Sequence, residues 1–447
     1  MRHSSHAYHE RIRFNDRENL ARFSTSNQTS LLTAAEHAFY IGRIARRFIM
    51  IEIQKQRQEI ETNVSQFLGD MIRIPSTSGN EGGVIHRIAS EMKTVGFDDV
   101  RIDPFGNVIG RIGSGPRLIA FDAHVDTVDV GNRSLWEFDP FSGHIRDGFV
   151  WGRGASDQEG GMASMVHAGW LMKKYGLLDP EFTVLMTGTV SEEDCDGLCW
   201  RYLIEKEGIR PELVVVTEPT DCRLYRGQRG RMEITATMPG VSSHGSAPER
   251  GDNAIIKMAE IIRQVPSLAK RLGVDEFLGK GSITISQATS TAPSLCSVAD
   301  SCQIYFDRRL TWGETPDHAV EEIRKLDPTG QLKVEVPEYT TPTHTGLVYP
   351  VVKEFPAWKT PESHASVQAG IRTFSELFGR PVEVGRWTFS TNGVAISGVH
   401  RIPCIGFGPG REEWAHAPNE RIAIEQLTMA ALFYAYFPSF YLKACRG

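Results

Sequence analysis

Apolar and polar positions alternate along the chain in two distinct rhythms. Ile60, Val64, Phe67, Leu68, Met71 and Ile72 recur at the spacing of one helix face, and Pro75 stops that helix. After a turn over 76–80, Val84, Ile85, Ile88, Ala89 and Met92 mark a second helix that Gly96 closes. Residues 100–112 read as two short strands around the turn 104–107. An apolar run over 118–128 has the length of a buried strand. A loop-rich stretch over 136–151, with a hairpin signal at Asp147-Gly148, leads to a glycine-rich loop at 151–161 and a helix over 162–175. Two more apolar runs, 182–187 and 213–216, predict buried strands.

Beyond Glu218 the pattern changes. A strand over 231–238, a helix over 253–272, strands at 282–287 and 301–307, a helix over 316–326 and a strand at 332–336 follow in turn. This β-α-β-β-α-β order is that of a ferredoxin-like unit. It predicts a second, α+β lid domain over 226–342, inserted between two parts of an α/β domain, 50–225 and 343–447, with 341–346 as the return linker. A helix over 366–377, a strand at 403–407 and a helix from 424 to about 436, ended by Pro438, complete the first domain. A chain of 447 residues is too long for one compact core, which agrees with two domains.

Composition narrows the function. Apolar content of 40% and charged content of 23% describe an ordinary globular protein. A net charge of -6 gives no reason to expect nucleic acid, and no apolar run approaches the roughly 20 residues that span a bilayer. Seven cysteines, odd in number and sparse, read as reduced thiols in a cytoplasmic protein. Residues 1–49 differ from the rest: arginines recur, yet no lysine precedes Lys55. They read as an extension outside the fold, with Met50 as its start.

The chemistry gathers at strand ends. The first buried run finishes in His124 and Asp126, the second leads into Glu192 and Glu193, and the third into Glu218. In an open α/β sheet such ends form the ligand crevice. The glycine-rich loop matches neither the P-loop nor the dinucleotide fingerprint; its glycines let the backbone bend and present Asp157 at the mouth of a helix. Carboxylates crowded together cannot all stay ionised unless cations neutralise them, so a metal site is the simplest account. Glu192 and Glu193 taken alone, with Asp194 and Asp196 following, fit a solvated acidic turn better than a metal site. Cys195 and Cys199, without a second pair of soft ligands, read as buried thiols. Asp122 reads as a strand-end residue outside the site.

The motifs His124-Val-Asp-Thr-Val128, Gly152-Arg-Gly-Ala-Ser-Asp157, Glu192-Glu193, Glu218 and His416 occur in an order that resembles the dinuclear zinc amidohydrolases. That family includes aminoacylase, acetylornithine deacetylase, succinyl-diaminopimelate desuccinylase and bacterial carboxypeptidases. The stretches at 226–233 and 387–393 resemble most closely a branch described as selenium-metabolism-linked hydrolases. The resemblance implies a zinc-exopeptidase-like domain with a mixed sheet, and a lid that also forms a homodimer. It implies two Zn2+ per subunit, with Co2+ or Mn2+ as substitutes: His124 and Glu218 on one, Glu193 and His416 on the other, Asp157 bridging both. Glu192 would be the general base and Asp126 would orient His124. Asp157-Gln158 would be a cis peptide.

For the substrate, a small amide carrying a carboxylate, the resemblance implies His244 near the carbonyl, from its own chain or across the dimer. Arg309 would clamp the carboxylate, with Arg308 as a competitor, because a guanidinium fork matches a carboxylate. Asn253 would cap the lid helix and touch substrate, and Thr391 and Asn392 would line the carboxylate side. Ser390-Thr-Asn-Gly393 and Glu159 both depart from the usual family residues. A metal-free binding protein on the same fold would have lost a ligand, and none of the five is lost. A chain beginning at Met50 should match the full chain in activity and melting temperature; a deficit in either contradicts the reading of residues 1–49.

Overall fold

The helices that open the described chain follow from their apolar spacing. The computed structural model describes Glu52 and residues 55–446; the expectation for 1–49 lies outside them. Helix α1 (Arg57–Ile72) buries Ile60, Val64, Phe67, Leu68, Met71 and Ile72, and α2 (Gly82–Thr94) buries Val84, Ile85, Ile88, Ala89 and Met92. Strands β1 (Asp99–Ile102) and β2 (Val108–Gly113) pair as a hairpin, and β3 (Arg117–His124) follows. A small hairpin, β4 (His144–Arg146) with β5 (Phe149–Trp151), turns at Asp147 and Gly148, both at positive φ. Then come α3 (Glu159–Tyr175), β6 (Phe182–Thr189), α4 (Leu198–Glu205), β7 (Leu213–Val216) and β8 (Leu224–Gln228).

The lid comprises β9 (Gly230–Pro239), α5 (Ala254–Arg271), the hairpin β10 (Val274–Asp275) and β11 (Gly279–Lys280), β12 (Ser282–Thr291), β13 (Ser301–Leu310), α6 (Pro316–Arg324) and β14 (Lys333–Glu335). Its antiparallel sheet runs β12-β13-β9-β14, the ferredoxin-like order. Along β9, Met232, Ile234, Ala236 and Met238 turn inward and pack with Met258 and Ile261 of α5 and Ile323 of α6. Arg231 and Glu233 alternate with them and face the opposite side. Asn253 caps α5 by accepting from the N–H groups of Ile255 and Ile256.

The chain returns through β15 (Glu338–Tyr339), β16 (Val351–Val352), β17 (Glu354–Phe355) and β18 (Trp358–Lys359), then α7 (Ala365–Phe378) and β19 (Val384–Trp387). A π-helical turn (Val394–Val399), β20 (Cys404–Gly406), β21 (Arg421–Ala423) and α8 (Ile424–Arg446) finish it. The central sheet has nine strands in the order β1-β2-β6-β3-β7-β20-β8-β18, with β19 also on β8. It is mixed: β6, β3, β7 and β20 run parallel, whereas β1, β2, β8 and β18 make antiparallel pairs.

Three features differ from the expectations. Residues 224–228 belong to the central sheet, so the lid begins after Gln228 rather than at 226. The lid also takes back β17, which pairs with β9, so its sheet extends past 342. The last helix runs through Pro438 instead of stopping there. Phe407, Phe433, Phe437 and Tyr441 stack in series at centroid spacings of 3.8, 5.6 and 5.9 Å. That packing outweighs the one backbone hydrogen bond a proline removes.

Arg308, a candidate carboxylate clamp, is instead part of the lid interior. Its side chain is 1% exposed and its Nη2 lies 2.7 Å from Glu314 and 3.3 Å from Glu322. Residues alternate in direction along β13, so Arg308 and Arg309 cannot share a face. Removing one partner of a buried ion pair strands the other. Arg308→Ala is therefore expected to cost about 3–5 kcal/mol in urea unfolding; a loss below about 1 kcal/mol contradicts this placement.

Candidate active site

Strands β6, β3 and β7 are adjacent and parallel, so their carboxyl ends meet at one edge of the sheet. His124 is the last residue of β3; Glu192 and Glu193 lie just past β6, and Glu218 just past β7. The glycine-rich loop before α3 adds Asp157, and the loop before β21 adds His416. All five expected metal ligands, together with Glu192, therefore converge.

The buried His124 sets the frame. Its Nδ1 donates to the main-chain carbonyl of Asp126 at 2.9 Å, which leaves Nε2 aimed into the site. Nε2 lies 3.1 Å from Asp157 Oδ1, 3.5 Å from Glu218 Oε1 and 3.9 Å from Glu192 Oε2. The other Asp157 oxygen, Oδ2, is 3.3 Å from His416 Nε2, which also lies 3.0 Å from Glu193 Oε2. Asp157 thus stands between two imidazoles, one on each side. The Asp157-Gln158 peptide is cis, as the resemblance implied.

Asp126 does its aligning differently from expectation. Its carboxylate sits 3.6 Å from His124 Nδ1 but accepts from the backbone N–H of Glu192 at 3.1 Å and of Glu193 at 2.9 Å. Ser78 Oγ donates to it at 2.7 Å. The main-chain carbonyl orients the imidazole, and the carboxylate orients the acidic pair.

Two further buried carboxylates that the sequence reading missed do similar work. Glu420 accepts from the N–H groups of Gly154, Ser156 and Asp157 at 3.2, 2.8 and 2.9 Å, and pairs with Arg153 at 2.6 Å. It holds the loop that presents Asp157. Glu81 accepts from the N–H of Ser191 at 3.1 Å, where the backbone takes φ +61° immediately before Glu192. The only signal for either was a lone carboxylate in a turn, in Asn419-Glu420 and Asn80-Glu81. Gly161 allows the close approach of α3 to β7, since a Cβ there would lie 2.3 Å from Thr217 Oγ1.

Asp122 is also not a bystander. It is fully buried under His124 and accepts from Thr187, Thr189 and Asn392 at 2.8, 3.2 and 2.8 Å. This takes Asn392 out of the substrate set: its oxygen accepts from Gly197 N–H and its nitrogen faces Asp122. Thr391 is buried as well, donating to Gln228 at 2.6 Å. Phe389 and Ser390 reach the cavity in their place. Cys195 and Cys199 are buried thiols whose titration is pushed up by burial.

A cavity of about 420 Å³ opens over these groups. Its wall includes Arg309, as expected, and Arg231, which was not anticipated although it sits opposite Arg309 across the lid sheet. Arg309 pairs with Asp307 at 2.7 Å; Arg231 pairs with Asp196 at 2.9 Å and Glu233 at 2.6 Å. His244 is not on this wall. It is exposed on the loop between β9 and α5, with Nδ1 2.7 Å from Ser246 Oγ. Asn253 is spent on its cap and does not line the cavity either.

Electrostatics fit the residues to cations. Burial drives Glu192 and Glu218 well above the ordinary carboxylate range; neighbouring carboxylates add to this and His124 opposes it. Hydrogen bonds that His416 donates to Asp157 and Glu193 raise its pKa to about 10. Burial alone would disfavour charge on His124, yet Glu218, Asp157 and Glu192 hold its proton well above the ordinary value. A field that attracts protons this strongly attracts divalent cations too. Ligand atoms of His124, Asp157 and Glu193 come within 4.8 Å of one another, as do those of His124, Glu192 and Glu218. Glu218 Oε2 and Glu192 Oε1 are buried with no hydrogen-bond partner, which a ligand or a base awaiting its substrate explains.

Residues 120–439 match the model of the peptidase family M20/M25/M40. The chain belongs to this family. It is 56% identical over 388 residues to the uncharacterized protein YgeY of Escherichia coli, covering 86% of this chain and 96% of that one. It is 32% identical over 246 residues to succinyl-diaminopimelate desuccinylase of Cereibacter sphaeroides, covering 51% of this chain and 64% of that enzyme. Among solved structures, the aminopeptidase PepT of Bacillus cereus superposes with a TM-score of 0.66 at 21% identity, covering 86% of this chain and 99% of its own. YXEP of Bacillus subtilis, a dinuclear metal-binding peptidase of the M20 family, gives 0.64 at 14%, covering 87% and 99%. The protein is a metal-dependent hydrolase of the M20 type. No helix among the described residues is long and apolar enough to cross a membrane.

Because bound cations would relieve the repulsion among these carboxylates, chelation should lower the melting temperature by several degrees, recovered on adding metal. An unchanged melting curve after verified metal removal contradicts the fit.

Proposed function

We propose that this hydrolase is a dizinc enzyme that cleaves an amide bond of an N-acyl, N-carbamoyl or short peptidyl amino acid. The observation that carries the reading is Asp157 held between His124 and His416, with Glu192 beside them and one of its oxygens unpartnered. Imidazole and carboxylate donors suit zinc, with Co2+ or Mn2+ as substitutes. His124 and Glu218 would hold one ion, Glu193 and His416 the other, and Asp157 both. Two ions bound there supply Lewis acidity that polarises the amide carbonyl and makes a water easier to deprotonate.

The remaining steps belong to the chain. Glu192 takes a proton from the attacking water and passes it to the leaving nitrogen. A carboxylate whose proton affinity is raised by burial is suited to both halves of that transfer. Arg309, on the opposite wall, grips the substrate carboxylate with the part of its fork that Asp307 leaves free. The lid edge strand β12 is exposed over 286–291, which supports pairing of two lids in a homodimer. His244, remote from its own cavity, would then reach the partner's and stabilise the oxyanion. We place the enzyme in the cytoplasm on its cysteine usage.

A second reading, a dipeptidase that requires a free amino group, draws on Glu412. It lines the cavity, and its Oε1 has no hydrogen-bond partner. A screen of acyl-, carbamoyl- and peptidyl-amino acids separates the two, because only the dipeptidase loses turnover when the amine is blocked.

Two variants test the mechanism. Glu192→Gln should keep its metal and lose about 10²–10⁴-fold in kcat; full turnover would show that another group is the base. Mixing His244→Ala chains with Glu192→Ala chains should restore part of the activity if His244 acts across a dimer. Absence of recovery in a verified mixed dimer contradicts that placement.

A further inference from the structure

Beside the cavity, where the chain crosses into the lid, there is more positive charge than a single carboxylate clamp needs. Strand β19 runs parallel to β8, with Gly385 opposite Tyr225 and Trp387 opposite Gln228. Arg386 lies between those two pairs, and Arg229 follows Gln228 directly. Two residues further on, Arg231 pairs in register with Arg309 of β13. The point where the chain crosses into the lid therefore brings Arg229, Arg309 and Arg386 together. Phe389 and Ser390, just beyond Arg386, line the cavity with Arg309.

The lid hairpin β10–β11 holds one of these guanidinium groups and lies against another. Arg229 Nη1 donates to the Lys280 carbonyl at 2.8 Å, and Arg386 Nη2 lies 3.2 Å from where a Cβ on Gly279 would be. Lys359 pairs with Asp275 at 2.5 Å, and Arg226 covers the Phe277 ring at 3.7 Å, so this hairpin is tied to the catalytic domain. The arginines are backed by a braced surface.

Their charge is not matched by the protein. Asp307 is the acidic group felt by Arg229, and Arg309 takes both of its oxygens, at 2.7 and 2.9 Å. Arg229 and Arg386 form no ion pair among the described residues. Burial, then Arg309 and Arg386, hold Arg229 below its ordinary value. Like charges packed without counterions raise the energy of the free protein, and an anion removes that cost. Planar forks in a cluster suit carboxylates, each of which can take two N–H donors.

We infer that Arg229 and Arg386 extend the Arg309 clamp into one anion subsite beside the metal cavity, and that this subsite binds the carboxylate of the substrate. Only the word substrate rests on the hydrolase reading; the subsite itself is a binding claim. A compound that reaches both regions has one polar end at the metal ligands and an acid group at the arginines. A simple monoacid such as valerate, with no second polar end, can satisfy only one of the two.

The test compares glutarate with valerate, diacid and monoacid of equal length, by calorimetric titration of the full-length metal-loaded protein. Either acid can place one carboxylate on metal, so the affinity ratio isolates the second. Wild type should favour glutarate by about tenfold or more, the worth of one charge-assisted contact. Arg229→Gln and Arg386→Gln should each bring the ratio down toward one. Arg263→Gln, at an exposed lid arginine paired among the described residues with Glu260, should leave it unchanged. A wild-type ratio near one, or a ratio that survives either of the two substitutions in a protein with normal melting, overturns the proposal. The readout needs no turnover, so an absence of amide hydrolysis would count against the proposed function and not against the subsite.

Discussion

Mutual repulsion among buried carboxylates is the constraint around which this molecule is built. Asp126, Asp157, Glu192, Glu193 and Glu218 meet at one sheet edge, where His124 and His416 face them with compensating charge. Left alone, such a group resolves its repulsion by taking up protons. Cations resolve it better, because one ion answers several oxygens at once. The same concentration of charge that makes the site costly makes it a strong metal trap.

Holding the ligands in place requires more acid, not less. Glu420 collects three backbone N–H groups of the glycine-rich loop, Glu81 takes that of Ser191, and Asp126 takes those of Glu192 and Glu193. Each carboxylate acts on the backbone of a neighbouring ligand rather than on its side chain. Charge-assisted bonds to N–H groups are strong and directional, so the ligand positions are set before any ion arrives. Below them, Asp122 and Asn392 join β3 to the segment entering the π-helical turn. The site therefore has a rigid floor, as preorganised catalysis requires.

Much of this was legible in residue order. Apolar runs ending in His124, Glu192 and Glu218 showed three strands finishing at one edge, because buried parallel strands read as continuous apolar segments. The lid was equally readable, since its alternation along 231–238 has period two and its helices period 3.6. What escaped depends on contacts between distant segments. Strand 224–228 is short, glycine-containing and polar, so only its sheet neighbours define it. Pro438 looked like a stop, yet stacking of aromatic rings carries the helix past it. Asn392 and Thr391 were expected to line the carboxylate side of the site, but their partners, Asp122 and Gln228, lie far away in sequence. Arg308 and Arg309 could be told apart only once the direction of β13 was known.

Under the proposed function, Asp157 would be shared by two ions held with His124 and His416. Metal content measured by mass spectrometry on purified wild type and Asp157→Ala tests it most directly. About two ions per wild-type chain, falling below one in a variant that remains folded, is the predicted result. Fewer than one ion in the wild type, or two retained without Asp157, would contradict the account.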